Sequence, residues 1–295
     1  MQAKAAKPTK SVTRWGPERR LEFIDYRLAW DGKLNRGDLM SFFGISVPQA
    51  SLDISRYREL APENLDYDAS ARMYVASPAF KPLYETSSPE SFLTELLVEA
   101  TGAQGEVESA MGWKPPVGRA PIPTRVLAPE VLFVLVRAIR EQVSLRVLYQ
   151  SMQRQEPALR VLSPHALGHD GFRWHVRAYC HTRQDYRDFV MARVLKVDAS
   201  DEPWRSGDDD GHWHTTLELL LVPNPKLSKA SQRAVELDFG MTGGEVSFSC
   251  RQALAFYVLR HLGLHEEPGP HPEAQQVVLK NRRQVQKLLQ FGQST

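Results

Sequence analysis

Between Gly102 and Pro129 the chain carries Gly102, Gly105, Gly112, Pro115, Pro116, Gly118, Pro121, Pro123 and Pro129. Glycine accepts almost any backbone state and proline removes a hydrogen-bond donor, so no helix or strand runs through such a stretch. A chain of 295 residues interrupted there must bury its apolar residues in separate cores on either side. The acidic, Gly-containing stretch 206–211 is a second break, while 266–272 reads as a loop inside the last segment. The expected division is an N-terminal unit (1–85), a helical connector with a Pro/Gly-rich linker (86–128), a middle unit (129–205) and a C-terminal unit (212–295). No repeat of 20–50 residues occurs, which removes solenoids and propellers.

No apolar run approaches the roughly 20 residues a membrane helix needs. The basic start, MQAKAAKPTKSVTRWG, has no apolar stretch behind it and does not read as a secretory signal. Cys180 and Cys250 alone make neither a disulfide framework nor a Cys-rich zinc site. The expectation is a cytoplasmic protein with no cofactor and no membrane partner. The net charge of +2 hides two cationic blocks. Residues 1–20 carry Lys4, Lys7, Lys10, Arg14, Arg19 and Arg20 against Glu18, and residues 137–196 carry ten arginines and Lys196 against five acids. Asp198, Asp201, Glu202, Asp208, Asp209 and Asp210 compensate. Segregation of this kind suits phosphates, or merely solubilises the chain in blocks.

In the N-terminal unit, Leu21, Ile24 and Leu28 form the stripe of a helix over 17–30. A second helix over 35–43 ends at Gly44, and Ser46 caps a third over 47–60. Residues 65–76 read as a hairpin. Three helices, a short glycine turn and a hairpin form the plan of a winged helix-turn-helix. Projection of the third helix turns Ala50, Ile54 and Tyr57 inward and Gln49, Ser51, Leu52 and Arg56 outward. Glutamine pairs with adenine and arginine with guanine in the major groove, so these four residues are the candidates for reading DNA, and the capping Ser46 is a further DNA-binding candidate. Arg14, Lys33, Arg36 and Arg72 are the candidate phosphate contacts. A helical bundle with a solvated polar face satisfies the same pattern.

The middle unit opens with an apolar helix over 130–141 and turns to strand patterning over 143–151, 159–167, 172–180 and 185–194, a small β-barrel. Alternation puts Trp174, Val176 and Ala178 on one face and His175, Arg177 and Tyr179 on the other. Arg187, Phe189, Met191 and Arg193 share a face of the next strand, as do Val161, Ser163 and His165, and Val147, Tyr149 and Ser151, of earlier ones. Converging Ser, His, Tyr and Arg side chains suit a nucleotide or a short single strand. A carboxylate pair and an activated nucleophile are missing, which argues against an enzyme. The C-terminal unit alternates strands (214–222, 245–250, 275–279) with helices (228–239, 252–262, 281–291), a small α+β sandwich.

The segment Gly171-Phe-Arg-Trp-His-Val-Arg-Ala-Tyr-Cys, followed by Tyr186-Arg-Asp-Phe-Val-Met-Ala-Arg, resembles the core of a WYL domain. Trp174-His175-Val176 stands where that family has Trp-Tyr-Leu, so its central tyrosine has no counterpart, while Arg187, Phe189 and Arg193 fit the trailing motif. Tyr149-Gln-Ser, Arg160-Val-Leu-Ser-Pro-His165, Ser46-Val-Pro-Gln-Ala-Ser-Leu-Asp and Pro62-Glu-Asn-Leu-Asp-Tyr-Asp are similar to the BrxR/CapW group of WYL regulators found beside bacterial antiphage systems. The resemblance implies a winged helix, an Sm-like WYL barrel and a C-terminal WCX domain, in a dimeric regulator that senses a nucleic-acid-derived ligand. Carried over by position, the ligand site involves Tyr149, Ser151, His165, Arg177, Arg187 and Arg193, with Ser163 and Tyr179 secondary and Trp174 and Phe189 as core or stacking groups.

Taken together, these readings predict a homodimeric repressor on an inverted-repeat operator of double-stranded DNA. Two other classes remain open. His165, His169, His175 and His181 with Asp170 and Asp185 raise a metal hydrolase, although no His-Glu-x-x-His spacing occurs. An accessory subunit modulating a defence effector fits the same features.

Overall fold

In the computed structural model, which describes residues 16–101, 110–121, 123, 125–267 and 269–290, helix α1 spans Pro17–Asp31 and stops at Gly32, whose φ of 68° a side chain resists. Strand β1 (Lys33–Leu34), helix α2 (Arg36–Phe43) and helix α3 (Val47–Leu60) follow. Asn35 caps α2 reciprocally: its side chain accepts from the Asp38 N–H, and the Asp38 carboxylate accepts from the Asn35 N–H. Ser46 caps α3, with Pro48 in the first turn. Leu21, Ile24, Leu28, Leu39, Ala50, Ile54 and Tyr57 make the core of these three helices.

Strands β2 (Leu65–Asp68) and β3 (Met73–Ala76) form the expected hairpin. It gains a third strand, since β1 pairs with β3 and the sheet order is β1-β3-β2. Two residues show no alternation, which is why β1 was not legible in the sequence. Buried Asp25 ties this unit together, accepting from Tyr57 (2.5 Å), Ser87 (2.7 Å) and the Leu83 N–H (3.0 Å). Helix α4 (Pro89–Ala100), in the segment expected as a connector, packs on α1, with Trp30 stacked on Phe92 at 4.1 Å and Tyr26 donating to Glu95.

The chain divides into two compact units at Ile122/Pro123. In the second, helix α5 (Pro129–Glu141) precedes strands β4 (Leu145–Tyr149), β5 (Ala158–His169), β6 (Trp174–Cys180), β7 (Asp185–Val190) and β8 (Val194–Ala199). The antiparallel order is β7-β6-β5-β4-β8. A flat five-stranded sheet measures roughly 19 Å from edge to edge. The 3-10 turn Met191–Arg193 that joins the two edge strands rises only about 6 Å. The sheet is therefore strongly curled, although no ladder closes β7 onto β8 among the described residues. Its core, with Val147, Leu162, Val176, Ala178, Phe189 and Met191, lies against Val131, Leu135 and Ala138 of α5. Trp174 stands outside that core, 51% exposed and 4.7 Å from the His169 ring, because it begins its strand beyond the covered part of the sheet.

A four-residue helix, α6 (Gly211–His214), leads to strand β9 (Thr216–Pro223), helix α7 (Lys229–Asp238), strand β10 (Val246–Arg251), helix α8 (Gln252–His261), strand β11 (Val277–Leu279) and helix α9 (Arg282–Gln290). The alternation expected of an α+β sandwich is present, on an antiparallel sheet of order β10-β9-β11. Leu217, Leu219 and Leu221 of β9 meet Val235, Ala255, Leu259 and Val285 in its core. No helix among the described residues is long and apolar enough to cross a membrane.

Candidate nucleic-acid interface and ligand cleft

Helix α3 presents the face that its spacing predicts. Leu52 is 62% exposed, Arg56 and Ser46 are exposed, and Gln49 and Ser51 are half-buried. Behind this face Asp53 is buried and clasped by Arg20 of α1 through two hydrogen bonds, at 2.6 and 3.1 Å. Gln49 donates to the same carboxylate at 3.0 Å. The first turn of α3 is exposed at Val47 and Pro48, so the positive end of the helix dipole faces outward and favours phosphate, while Ser46 already accepts from the Gln49 N–H and Pro48 carries none.

Lys33 and Arg36 are exposed at the junction of α1, α2 and the sheet. Arg36 donates to the Tyr74 hydroxyl at 3.2 Å, which sets it against the wing. Arg72 lies at the wing tip with φ of 53°, a left-handed conformation more easily held by Gly or Asn. Asp68 supports the tip, accepting from Ser70 and Ala71, and these bonds lower its carboxyl below the usual range. Arg14 lies outside the described residues.

In the second unit, the candidate ligand residues part company. Arg177 is buried and grips Asp210 with two hydrogen bonds, 2.7 and 2.9 Å, and Asp188 with a third at 3.3 Å. His165 reaches the same Asp210 at 3.0 Å. The loop carrying Asp210 comes this close because residue 207 is glycine; a Cβ there would strike the His165 ring at 2.5 Å. Burial works to raise the Asp210 carboxyl, but hydrogen bonds from His165 and Arg177 outweigh it and hold the group well below the carboxylate range. Burial does prevail at Asp188, whose carboxyl is raised.

Tyr149 is a core residue, its ring edge-on to Phe189 and its hydroxyl accepting from the Val190 N–H. Ser151 and Arg193 lie beyond it, half-buried, with the Arg193 carbonyl accepting from Gln150. Ser163 is fully buried between Ser144 and His181. His165 is the extra residue of a bulge between Pro164 and Ala166, so Ser163 and His165 both lie beneath the loop 205–210, and the bulge changes the facing only from Ala166 onward. The pairing of Arg177 with Asp188 and of Ala178 with Arg187 places the two arginines on opposite faces. Both nonetheless line one cleft of about 480 Å³, since Arg187 belongs to the edge strand β7. The far wall of that cleft is α8, through Gln252, Phe256 and Tyr257. Tyr149, Ser151, His165 and Arg193 do not line it.

The histidines considered as metal ligands are dispersed. His175 bonds Asp170, His181 bonds Ser163, and His169 packs on Trp174. No group of three or more His, Cys, Asp or Glu suited to a metal ion occurs among the described residues.

Comparison with known proteins gives three successive family matches. They are the BrxR transcriptional regulator winged helix-turn-helix domain over 16–97, the WYL domain over 130–199, and the BrxR transcriptional regulator C-terminal dimerization domain over 216–285. The chain is also 46% identical over 277 residues to the DNA-binding transcriptional repressor CapW of Escherichia coli, covering 94% of this chain and 93% of that one. The Pseudomonas aeruginosa CapW repressor is likewise 46% identical, over 279 residues, with 94% and 93% covered.

The chain belongs to the BrxR/CapW family.

Within this BrxR/CapW chain the C-terminal unit, expected as WCX, is thus matched as the BrxR dimerization domain. Residues that shape the cleft but were not among the candidates include Tyr186, Asp188, His212, Gln252, Phe256 and Tyr257. Tyr257 donates to Asp188 at 3.3 Å across 69 residues of sequence, and no local pattern signals such a contact. Asp210, assigned in the sequence to a compensating acidic run, is in fact the buried partner of two candidate residues.

Proposed function

We propose that this chain is a homodimeric, sequence-specific repressor that binds double-stranded DNA at an inverted-repeat operator of an antiphage defence operon, in the cytoplasm. The observation that carries it is the outward face of α3, with Gln49, Ser51, Leu52 and Arg56 above the Arg20–Asp53 pair, in a chain 46% identical to repressors named CapW. Ser46 and the cations Lys33, Arg36, Arg72 and Arg14 contact the phosphates on either side. The DNA-binding unit occupies 1–85, the connector 86–128, the WYL unit 129–205 and the dimerization unit 212–295.

The WYL unit is an Sm-like barrel that takes a nucleotide or single-stranded ligand, and the ligand shifts the dimer to a half-site spacing that no longer fits the operator. The family's ligand positions fall here on Tyr149, Ser151, His165, Arg177, Arg187 and Arg193.

The test is selection of binding sites from random duplex DNA at a stated salt concentration. An enriched inverted repeat with half-sites about one helical turn apart is the expected result. Recovery of unrelated sequences, or of single strands alone, overturns the reading.

A further inference from the structure

The cleft between the WYL sheet and α8 is balanced in charge. Its two guanidinium groups are each matched by carboxylates: Arg177 by Asp210 and Asp188, and Arg187 by Asp185 at 3.4 Å. Burial pushes the Asp188 carboxyl up, so this space already strains to hold the negative charge it has. A phosphate would add roughly −1.5 to −2 more, and beyond these matched pairs the lining offers it only the His212 ring.

The remaining walls suit something flat and uncharged. Phe256, 43% exposed, and the rings of Tyr257 and Tyr186 offer stacking surface. Gln252 donates one N–H to the Leu288 carbonyl at 2.9 Å, which fixes its amide, and its amide oxygen meets no donor among the described residues. Asp188 adds an acceptor on the same side, and the Tyr257 hydroxyl, whose proton goes to Asp188, adds a second. A volume of about 480 Å³ lies in the range of sites that enclose a ligand of that size.

We propose that this cleft binds an uncharged nucleobase, stacked by Phe256 and the two tyrosines and read along its edge by Gln252 and Asp188. The base is supplied either by a free nucleoside or by an unstacked position of a single strand. This deepens the ligand-sensing reading above and depends on it only for the consequence, release of DNA.

The experiment is calorimetric titration of the full-length protein with adenosine, guanosine, cytidine and thymidine, with their 5′-monophosphates, with ribose 5-phosphate and with a short single strand of mixed sequence. At least one nucleoside is expected to bind, with its 5′-monophosphate no tighter. Phe256→Ala and Gln252→Met are each expected to weaken it at least tenfold without moving the melting temperature. A single strand that competes with the nucleoside identifies the unstacked base as the source, and one that does not identifies the free nucleoside. Failure of all four nucleosides, equal binding of ribose 5-phosphate, or binding unchanged in both variants overturns the proposal. Binding that leaves operator DNA in place upholds the cleft and removes ligand release, whereas release by a compound that ignores the cleft variants does the opposite.

Discussion

Gln49 donates its amide N–H to Asp53 at 3.0 Å, one helical turn further along α3. Because Asp53 is itself held by Arg20, the side chain best suited to read adenine is braced from below before it meets DNA. Its carbonyl oxygen and second N–H are the two groups that a bidentate contact with adenine uses.

Gln49→Ala is therefore expected to weaken operator binding by about 1–3 kcal/mol while leaving stability within about 0.5 kcal/mol. Asp53→Ala removes the brace on Gln49 and is also expected to cost about 3–5 kcal/mol in a urea melt, since it deletes the carboxylate that Arg20, a side chain only 10% exposed, holds with two hydrogen bonds. Equal stability losses in the two variants would show that the brace is not an ion pair that matters to folding.

Arg56→Ala and Arg72→Ala separate reading from positioning. The first is expected to relax preference at one base position, by about 1–3 kcal/mol. The second is expected to weaken all duplexes alike and to reduce the slope of log affinity against log salt by about one. Competition binding against operators with single-base changes, at several salt concentrations, distinguishes the two.

Arg177→Ala removes the partner of two buried carboxylates, and the expected loss is about 3–5 kcal/mol of folding stability. Arg177→Lys is not expected to restore it, because an ammonium cannot reproduce the paired bonds to Asp210. Urea midpoints of the three proteins check this. A ligand-release assay on either variant has to be read against that loss.

Acid stability follows from Asp170 and Asp210. Each carboxyl is buried, yet hydrogen bonds bring both below the usual range: His175, Phe172 and Arg173 at Asp170, His165 and Arg177 at Asp210. A lowered value means that the unfolded chain binds the proton more readily, so the stabilisation is complete above the unfolded value of about 3.9 and is lost as pH falls below it. The raised Asp188 acts in the opposite direction, making the fold less stable as pH rises from about 3.9 toward its folded value. Urea midpoints from pH 3 to pH 7 are expected to rise less steeply in Asp210→Asn than in the parent at the acid end.

The elements with strong local signals were legible. The stripe Leu21, Ile24, Leu28, the Ser46 cap and Gly44 place α1, α2 and α3 almost to the residue. What escaped depends on contacts remote in sequence. Strand β1 exists only because β3 is there to pair with it, and the bulge after Pro164 reverses the facing that strict alternation assigns. Asp210 reads as one acid in a run until the fold brings it 2.7 Å from Arg177. The α8 wall of the cleft carries no motif; Gln252, Phe256 and Tyr257 acquire a shared purpose only once β6 and β7 face them.

Strand β1 anchors the base of the wing to the turn between α1 and α2, whereas the tip from Asp68 to Arg72 is held by its own local hydrogen bonds. The tip can thus be exchanged like a cassette without disturbing the helical core. Helix α3 answers to a different constraint, the ion pair beneath it. If the wing tip and α3 contact DNA as proposed, a lineage of such proteins confronted with drifting operator sequences can revise the flanking half of its recognition one substitution at a time, keeping the central half fixed while it does so.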